Sequence, residues 1–330
     1  MRHGRGPLMQ PDLSIVTVSF NTRDLMREVL TAAAHHRGRL TIEHWVVDNA
    51  SSDGTVAMIR REFPEVELLV SPENLGAGRA RNMVIPSCRG RYVLSLDSDV
   101  MVHPGTMEAL VDYMDQHSDV AAAGCQLLNA DGTHQVSTRH LRQVGPAIKR
   151  RLASLAGRCD TEFKAATSAV SVGWLVGAIC IYRKAALEQV GLFDPRFYLY
   201  RDDLDLHTRL NLKGWKVAYV PTVSVTHLLA RSADRNFAVA RFDDEYGELL
   251  FTRKYGPPWL HWYRRLSLLG RGLYYSRLCP DDKLRHKFWG KDPAVLRRVY
   301  RELVRLTLPI PGHRLAASSA PPAGFDQRPS

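Results

Sequence analysis

Two aspartates, Asp97 and Asp99 on either side of Ser98, follow directly on an apolar run from Tyr92 to Leu96. In an extended segment residues i and i+2 share a face, so both carboxylates point the same way. Hard divalent cations take oxygen ligands, and a nucleotide diphosphate brings phosphate oxygens of its own. Few protein ligands together with a phosphate-bearing substrate suit Mg2+ or Mn2+. Asp-x-Asp alone is a common pattern, and its position at the end of a strand is what raises it. Further along stand Asp202, Asp203 and Asp205. Acids in the first turn of a helix complement its dipole. A carboxylate held near a metal can instead serve as general base on an acceptor hydroxyl, and three acids so close would push at least one pKa up. His227 comes 24 residues after Asp203. A lone histidine is more often structural, but neutral imidazole is also a common metal ligand.

The elements that must position these residues read as βαβ units. Leu13 to Ser19 (LSIVTVS) is a β-branched strand, followed by Asn21 as a candidate helix cap and a stripe of Leu25, Val29, Leu30 and Ala33. Ile42 to Val47 is a second strand, Val66 to Val70 a third and Tyr92 to Leu96 a fourth, with helices between them. This alternation predicts an α/β fold with a doubly wound, mostly parallel sheet. Ligands in such sheets sit beyond the carboxyl ends of the strands. The polar clusters Ser19-Phe20-Asn21, Asp48-Asn49, Asn74 and Asp97-Ser98-Asp99 all fall there. Beyond Pro104 the pattern predicts a helix to about His117, strands at Val120 to Leu128, Trp174 to Tyr182 and Lys216 to Val220, and a helix from Arg201 to Leu212. Residues 130–170 read as irregular, with a basic helical piece around Lys149-Arg150-Arg151.

The remaining motifs each carry two readings. Asp48 can accept a hydrogen bond from a base N–H, as uracil or thymine offers, and Asn49 to Asp53 read equally as an Asx turn with a helix cap. Gly76-Ala77-Gly78-x-x-Arg81 lacks the third glycine of a dinucleotide fingerprint and follows the third strand, which disfavours an oxidoreductase. Glycines and a helix N-terminus near a diphosphate still fit. Arg79 or Arg81 could offset phosphate charge, with a solvated helix face the default for at least one of them. A nucleotidyltransferase would want a glycine-rich basic loop after the first strand, where Ser19-Phe20-Asn21-Thr22 stands. A non-catalytic nucleotide-sugar or membrane-binding protein would not need the acids at 97, 99 and 203.

Taken together these segments resemble family 2 glycosyltransferases of the GT-A fold, in particular the rhamnosyltransferase-like branch. The likeness runs from Leu13 to about Ser232. It includes VSFN from Val18, VVDNASSDGT from Val46, ENLGAGRARN from Glu73 and LDSD from Leu96. It continues with GWLVGAICIYRKAALEQVGLFDPRFYLY from Gly173, RDDLDLHTRL from Arg201 and a closing His227-x-x-x-Arg231-Ser232. The resemblance implies an inverting single displacement from a dTDP- or UDP-sugar. Asp48 would read the base, Asp97 would contact ribose or metal, Asp99 and His227 would hold the metal, and Asp203 would be the base. The family usually has Glu-Asp where this chain has Asp202-Asp203, and the second acid of the pair takes the base role. Trp174 to Ala178, including Gly177, would lie on the acceptor side of the donor pocket.

Charge and composition bound the rest. The 330 residues carry a net charge of +11. From Arg253 to Arg314 fifteen Lys/Arg face four Asp/Glu, so this stretch carries the whole excess. Trp259, Trp262, Tyr263, Tyr274, Tyr275, Phe288 and Trp289 sit among those cations. That mixture predicts docking of residues 256–310 on an anionic membrane surface, where a lipid-linked acceptor would lie. It comes with no recognised nucleic-acid-binding module. Five scattered cysteines without a CxxC pair, and no apolar leader, point to a reducing cytoplasm and the inner membrane face. The expected organisation is a lead-in over 1–11, a catalytic domain over 12–255, a basic aromatic-rich helical extension over 256–310 and an unstructured tail over 311–330.

Overall fold

The computed structural model describes residues 10–139, 166–228, 237–288 and 291–308. The basic piece around Lys149, the closing Arg231-Ser232 and Trp289 lie outside them. Strand β1 (Leu13–Ser19) leads to α1 (Arg23–His35), β2 (Ile42–Asp48), α2 (Thr55–Glu62), β3 (Glu67–Val70), α3 (Ala77–Val84) and β4 (Tyr92–Asp97). The four strands pair in parallel in the order β3-β2-β1-β4. All four predicted strands are present within a residue or so of their expected ends.

The second half of the sheet is mixed. After β5 (Val100–Val102) and α4 (Thr106–Gln116) comes β6 (Val120–Leu128). Two short strands follow, β7 (His134–Gln135) and β8 (Thr138–Arg139), in a stretch expected to be irregular. The run expected as one strand from Trp174 to Tyr182 is broken. Its ends are β10 (Trp174–Leu175), which pairs with β8 in a separate two-stranded sheet, and β11 (Ile179–Arg183), which inserts antiparallel between β4 and β6. The break at Val176-Gly177-Ala178 has a chemical partner, described below. β9 (Val170–Val172), α5 (Lys184–Val190) and α6 (Asp202–Leu212) complete this region. The strand expected over Lys216 to Val220 is longer and runs on as β12 (Lys216–His227). Its register shifts between Val220 and Ser224. Pro221, which has no N–H for the ladder, sits in that irregularity.

Alternation along the strands fills two cores, one on each face. Leu13 and Ile15 of β1, with Leu94 and Leu96 of β4, pack with Val29 of α1 and Leu110 of α4. Val16 and Val93 point the other way, toward Ala80 and Val84 of α3, Leu187 of α5 and Leu206 and Leu210 of α6. Helices on both faces of a largely parallel sheet make this the doubly wound α/β arrangement of a GT-A fold.

The described chain forms two compact units. Among the described residues, the first runs to Phe193 and resumes from Asp203 to Leu228, and the second combines Asp194–Asp202 with residues from Phe237 on. In the second unit α7 (Phe237–Tyr255), α8 (Pro258–Leu273), a π-helical turn (Tyr274–Leu278), α9 (Asp281–Lys287) and α10 (Pro293–Thr307) enclose their own core of Phe242, Tyr246, Leu268, Tyr275, Val299 and Tyr300. Buried Asp243 accepts from the backbone N–H groups of Leu199 (3.2 Å) and Tyr200 (2.6 Å), which ties the 194–202 segment to α7. Buried Glu245 collects Arg241 and, at 2.8 Å, Arg271.

The amino-terminal edge of the sheet, away from the strand ends that carry the polar clusters, is locked by a buried network. Ser14 Oγ donates to Glu43 (2.6 Å) and accepts from Gly90 N–H (2.8 Å), and Arg89 binds Glu43 through its backbone and guanidinium. Burial works to raise the Glu43 pKa, but these donors outweigh it and the pKa is lowered. A Cβ on Gly90 would meet Ser14 N at 2.5 Å and Leu13 C at 2.8 Å, backbone atoms that cannot step aside. Gly90→Ala is expected to cost on the order of 1–3 kcal/mol in denaturant unfolding; an unchanged midpoint would mean that β1 and β4 do not approach this closely.

Candidate active site

Asp97 ends β4, and the chain turns at once through half-buried Ser98 to Asp99 and β5. Strand β5 pairs antiparallel with the last turn-free residues of β12, Val100 opposite His227. Leu228 N–H donates to Asp99 O (3.0 Å), extending that ladder by one bond. A histidine 128 residues further along is thereby set beside Asp99, its Nε2 3.5 Å from Asp99 Oδ1. One ligand atom each from Asp97, Asp99 and His227 lie within 4.8 Å of one another. Asp99 and His227 are buried, whereas Asp97 keeps 37 % of its side chain open.

The orientation of His227 is fixed from behind. Its Nδ1 lies 2.7 Å from Gln135 Oε1, and Gln135 Nε2 donates to the His227 carbonyl (3.2 Å) and to Asn129 Oδ1 (2.9 Å). With its amide nitrogen committed to two acceptors, Gln135 presents oxygen to the ring. The imidazole can therefore keep a proton on Nδ1, which leaves Nε2, on the Asp99 side, as the nitrogen a divalent cation would take in exchange for a proton. Burial works against charge on His227, but Asp99 and then Asp97 outweigh it and its pKa is raised. Gln135 owes its place to the pairing of β7 with β6, Gln135 opposite Leu127. No sequence pattern marks it, and the sequence reading missed it.

Arg81 is nearly buried and donates to Asp97 Oδ1 at 2.6 Å, with its guanidinium 5.4 Å from the Phe193 ring centroid. It therefore braces the Asp97 carboxylate; Arg79 is the exposed member of the pair. The protein packed around the Asp97 carboxyl raises its pKa although part of the side chain is open; Arg81 opposes the rise and Asp99 adds to it.

At the end of β2, Asp48 is fully buried. Its Oδ2 accepts from Ser51 N–H (2.9 Å), while Oδ1 has no hydrogen-bond partner among the described residues. An unsatisfied buried carboxylate oxygen is costly, and a ligand donor would relieve it. Asn49 serves structure: its side chain reaches Asn74 Oδ1 (2.9 Å), Gly76 O (3.2 Å) and Leu75 N–H (2.9 Å). This pins the loop that opens α3, where Gly76 has φ +80°, a conformation that glycine adopts without strain. Ser19 is buried against Thr22 Oγ1 (2.9 Å). Asn21, at φ +54°, accepts from Ser52 N–H (2.8 Å). Asp53 accepts from the N–H groups of Arg23 and Thr55, joining α1 to α2, so the Asx-turn reading fits it, while the N-cap of α2 is Gly54 with no side-chain cap.

Asp203 is held by two amides, Gly177 N–H to Oδ2 (2.8 Å) and Leu204 N–H to Oδ1 (2.6 Å). The next residue, Ala178, accepts from Asp97 N–H at 2.9 Å, so the break between β10 and β11 links the acid of α6 to the end of β4. A Cβ on Gly177 would lie 3.1 Å from Asp203 Cβ and Oδ2, a close approach that favours glycine. Asp202 is buried. Asp205 is withdrawn into an ion pair with Arg209 (2.7 Å), so it does not crowd Asp203. Trp174 is half-buried and gives its carbonyl to Thr138 Oγ1 (2.6 Å). His207, with Tyr182 at 3.2 Å, is buried and driven down to about 3 by desolvation, a neutral core histidine.

A doubly wound sheet whose carboxyl edge offers two aspartates, a histidine and an unsatisfied buried carboxylate is the frame of a GT-A fold with a candidate active site. The chain belongs to glycosyl transferase family 2, whose description residues 14–191 match. It is 31 % identical over 211 residues to N-acetylglucosaminyl-diphospho-decaprenol L-rhamnosyltransferase of Mycobacterium tuberculosis, covering 58 % of this chain and 68 % of that one. It is also 31 % identical over 147 residues to succinoglycan biosynthesis protein ExoO of Rhizobium meliloti, 44 % of this chain and 40 % of the relative. Among solved structures, mannosyltransferase PcManGT from Pyrobaculum calidifontis in complex with GDP-Man and Mn2+ shares the fold, with a TM-score of 0.54 at 16 % identity over 91 % of this chain and 88 % of that one.

Two carboxylates and one imidazole within this span fit a divalent cation. Partners that orient a ligating histidine are worth roughly 10–100-fold in metal affinity. Gln135→Leu is expected to weaken Mn2+ binding by about that factor in calorimetric titration with a nucleoside diphosphate present, at unchanged melting temperature. Wild-type affinity in the variant would remove Gln135 from the site.

Proposed function

We propose that this chain is an inverting, metal-dependent hexosyltransferase that moves a sugar from a nucleotide-sugar donor to a lipid-linked or polysaccharide acceptor in cell-envelope glycan synthesis. Rhamnose from dTDP-rhamnose is the first candidate. The observation that carries this reading is the meeting of Asp97, Asp99 and His227 at the sheet edge where Asp48 keeps a buried, unsatisfied oxygen. The likeness to a rhamnosyltransferase whose name specifies a diphospho-decaprenol acceptor supports the sugar and the acceptor class. Likeness to a succinoglycan biosynthesis protein supports an envelope glycan as product. An acceptor of that kind implies a cytoplasmic protein working at the inner membrane face.

In this reading Asp48 Oδ1 accepts from the N3–H of thymine or uracil, since Oδ2 is already taken by Ser51. Asp99 and His227 would hold a divalent cation, and Asp97, braced by Arg81, would face that cation or the ribose. A bound divalent cation would stabilise the departing diphosphate as its charge develops. The imidazole nitrogen makes Mn2+ a better match than Mg2+, which prefers oxygen and octahedral geometry. Asp203 takes the proton of the acceptor hydroxyl as its oxygen attacks the anomeric carbon, and the bond from that carbon to the diphosphate oxygen breaks. The amides of Gly177 and Leu204 hold the Asp203 carboxylate in one orientation for this transfer.

A turnover screen across dTDP-, UDP- and GDP-sugars, with and without Mn2+, tests the reading. The expected result is metal-dependent turnover of a dTDP- or UDP-sugar that falls roughly 10²–10⁴-fold in Asp203→Asn. Turnover unaffected by that substitution would remove Asp203 as the base, and turnover without metal would overturn the roles of Asp99 and His227.

A further inference from the structure

Helix α8 and the π-helical turn after it have two unlike faces. On one, Leu260, Leu268 and Gly272 are buried. Gly272 sits so close to α10 that a Cβ would run into Val304. Arg264 and Arg271 are tied on that side to Glu248 (2.9 Å) and Glu245 (2.8 Å). The other face is exposed and apolar. Trp259 is 52 % exposed, Trp262 50 % and Leu266 63 %, followed by Tyr263, Tyr274 and, at 72 %, Leu278. Spacings of three and four residues, carried from Leu266 to Tyr274 through exposed Gly270, align them on a single stripe. From residue 259 to 278 it runs about 28 Å at 1.5 Å per residue.

Monomeric proteins rarely leave contiguous apolar stripes open, and the charge around this one points to its use. Residues 249–280 contain no Asp or Glu. Arg265 lies 5.1 Å from the Trp262 ring centroid, and exposed Arg277 sits between Tyr274 and Leu278. Tryptophan and tyrosine with flanking arginine are the side chains that settle at a bilayer interface. A second copy of this chain is a poor occupant, because a two-fold contact would set the same arginines against one another. Among the described residues no helix is long and apolar enough to cross a membrane.

We infer that the exposed face of residues 259–278 is an interfacial helix that lies in the headgroup region of an anionic bilayer, its Trp, Tyr and Leu side chains inserted and its arginines on lipid phosphates. This rests on the proposed membrane-side acceptor only for its purpose; the physical claim stands on the stripe itself.

The full-length protein is tested by flotation with phosphatidylglycerol-rich and with pure phosphatidylcholine vesicles, alongside quenching of tryptophan fluorescence by brominated lipid. Binding to the anionic vesicles, weakened by salt, with quenched tryptophan is expected. Leu266→Asp should lower that partition by about tenfold or more at unchanged melting temperature and unchanged turnover of the soluble donor, and Trp262→Ser should do the same. Asp99→Asn should lose turnover but float like the wild type, so failure of the enzymatic reading and of this one are told apart. Absence of wild-type binding, full binding by Leu266→Asp, or a dimer that Leu266→Asp converts to monomer without touching vesicle binding would each overturn the inference.

Discussion

Three residues of β-ladder hold the site together. Val100–Val102 pair with Val225–His227, and without that short antiparallel contact Asp99 and His227 would be unrelated parts of the chain. The contact depends on two irregularities. The chain must turn sharply after β4 through Asp97-Ser98-Asp99, and β12 must shift register around Pro221 before reaching β5. Bulges of this kind re-aim side chains near functional sites at the cost of ladder hydrogen bonds. Here the aim is completed by Gln135, which holds the ring that the ladder delivers.

A second constraint is electrostatic. Asp97, Asp99 and Asp203 lie close enough to act on one another, and Asp97 is pushed toward its protonated form by burial and by those neighbours. Arg81 at 2.6 Å is the permanent counterweight, itself nearly buried and stacked near Phe193. A cluster of acids with too little positive charge is a poor ground state by itself and a good one for a cation. Asp48 has the same character on a smaller scale, with one oxygen satisfied and one not. Both are places where the isolated fold gives up stability that a ligand returns.

Much of this is legible in the amino-acid order, for definite reasons. Buried parallel strands are near-continuous apolar runs, so Leu13–Ser19 and Tyr92–Leu96 declare themselves, and the polar residues that end them mark the ligand edge. Local periodicity does not report pairing partners. The apolar run from Trp174 to Tyr182 looks like one strand, yet it breaks at Gly177, where the backbone N–H is drawn to Asp203. Gln135 stands in a stretch with no periodicity, and its role exists only because β7 folds back on β6. Asn49 and Arg81 are polar residues at the right edge whose side chains turn out to hold loop and carboxylate in place. The exposed stripe of α8 was visible only as an aromatic and basic composition; which face is buried required the packing of Leu260, Leu268 and Gly272.

The central claim is that Asp97, Asp99 and His227 form one metal site that also receives a nucleoside diphosphate. Crystals of the protein soaked with Mn2+ and dTDP, with diffraction recorded at the manganese absorption edge, test it directly. The account predicts a single anomalous peak in contact with Asp99 and His227 Nε2 and bridged to the diphosphate, with the thymine N3–H on Asp48. Bound nucleotide with no peak there, or a peak away from His227, would contradict it.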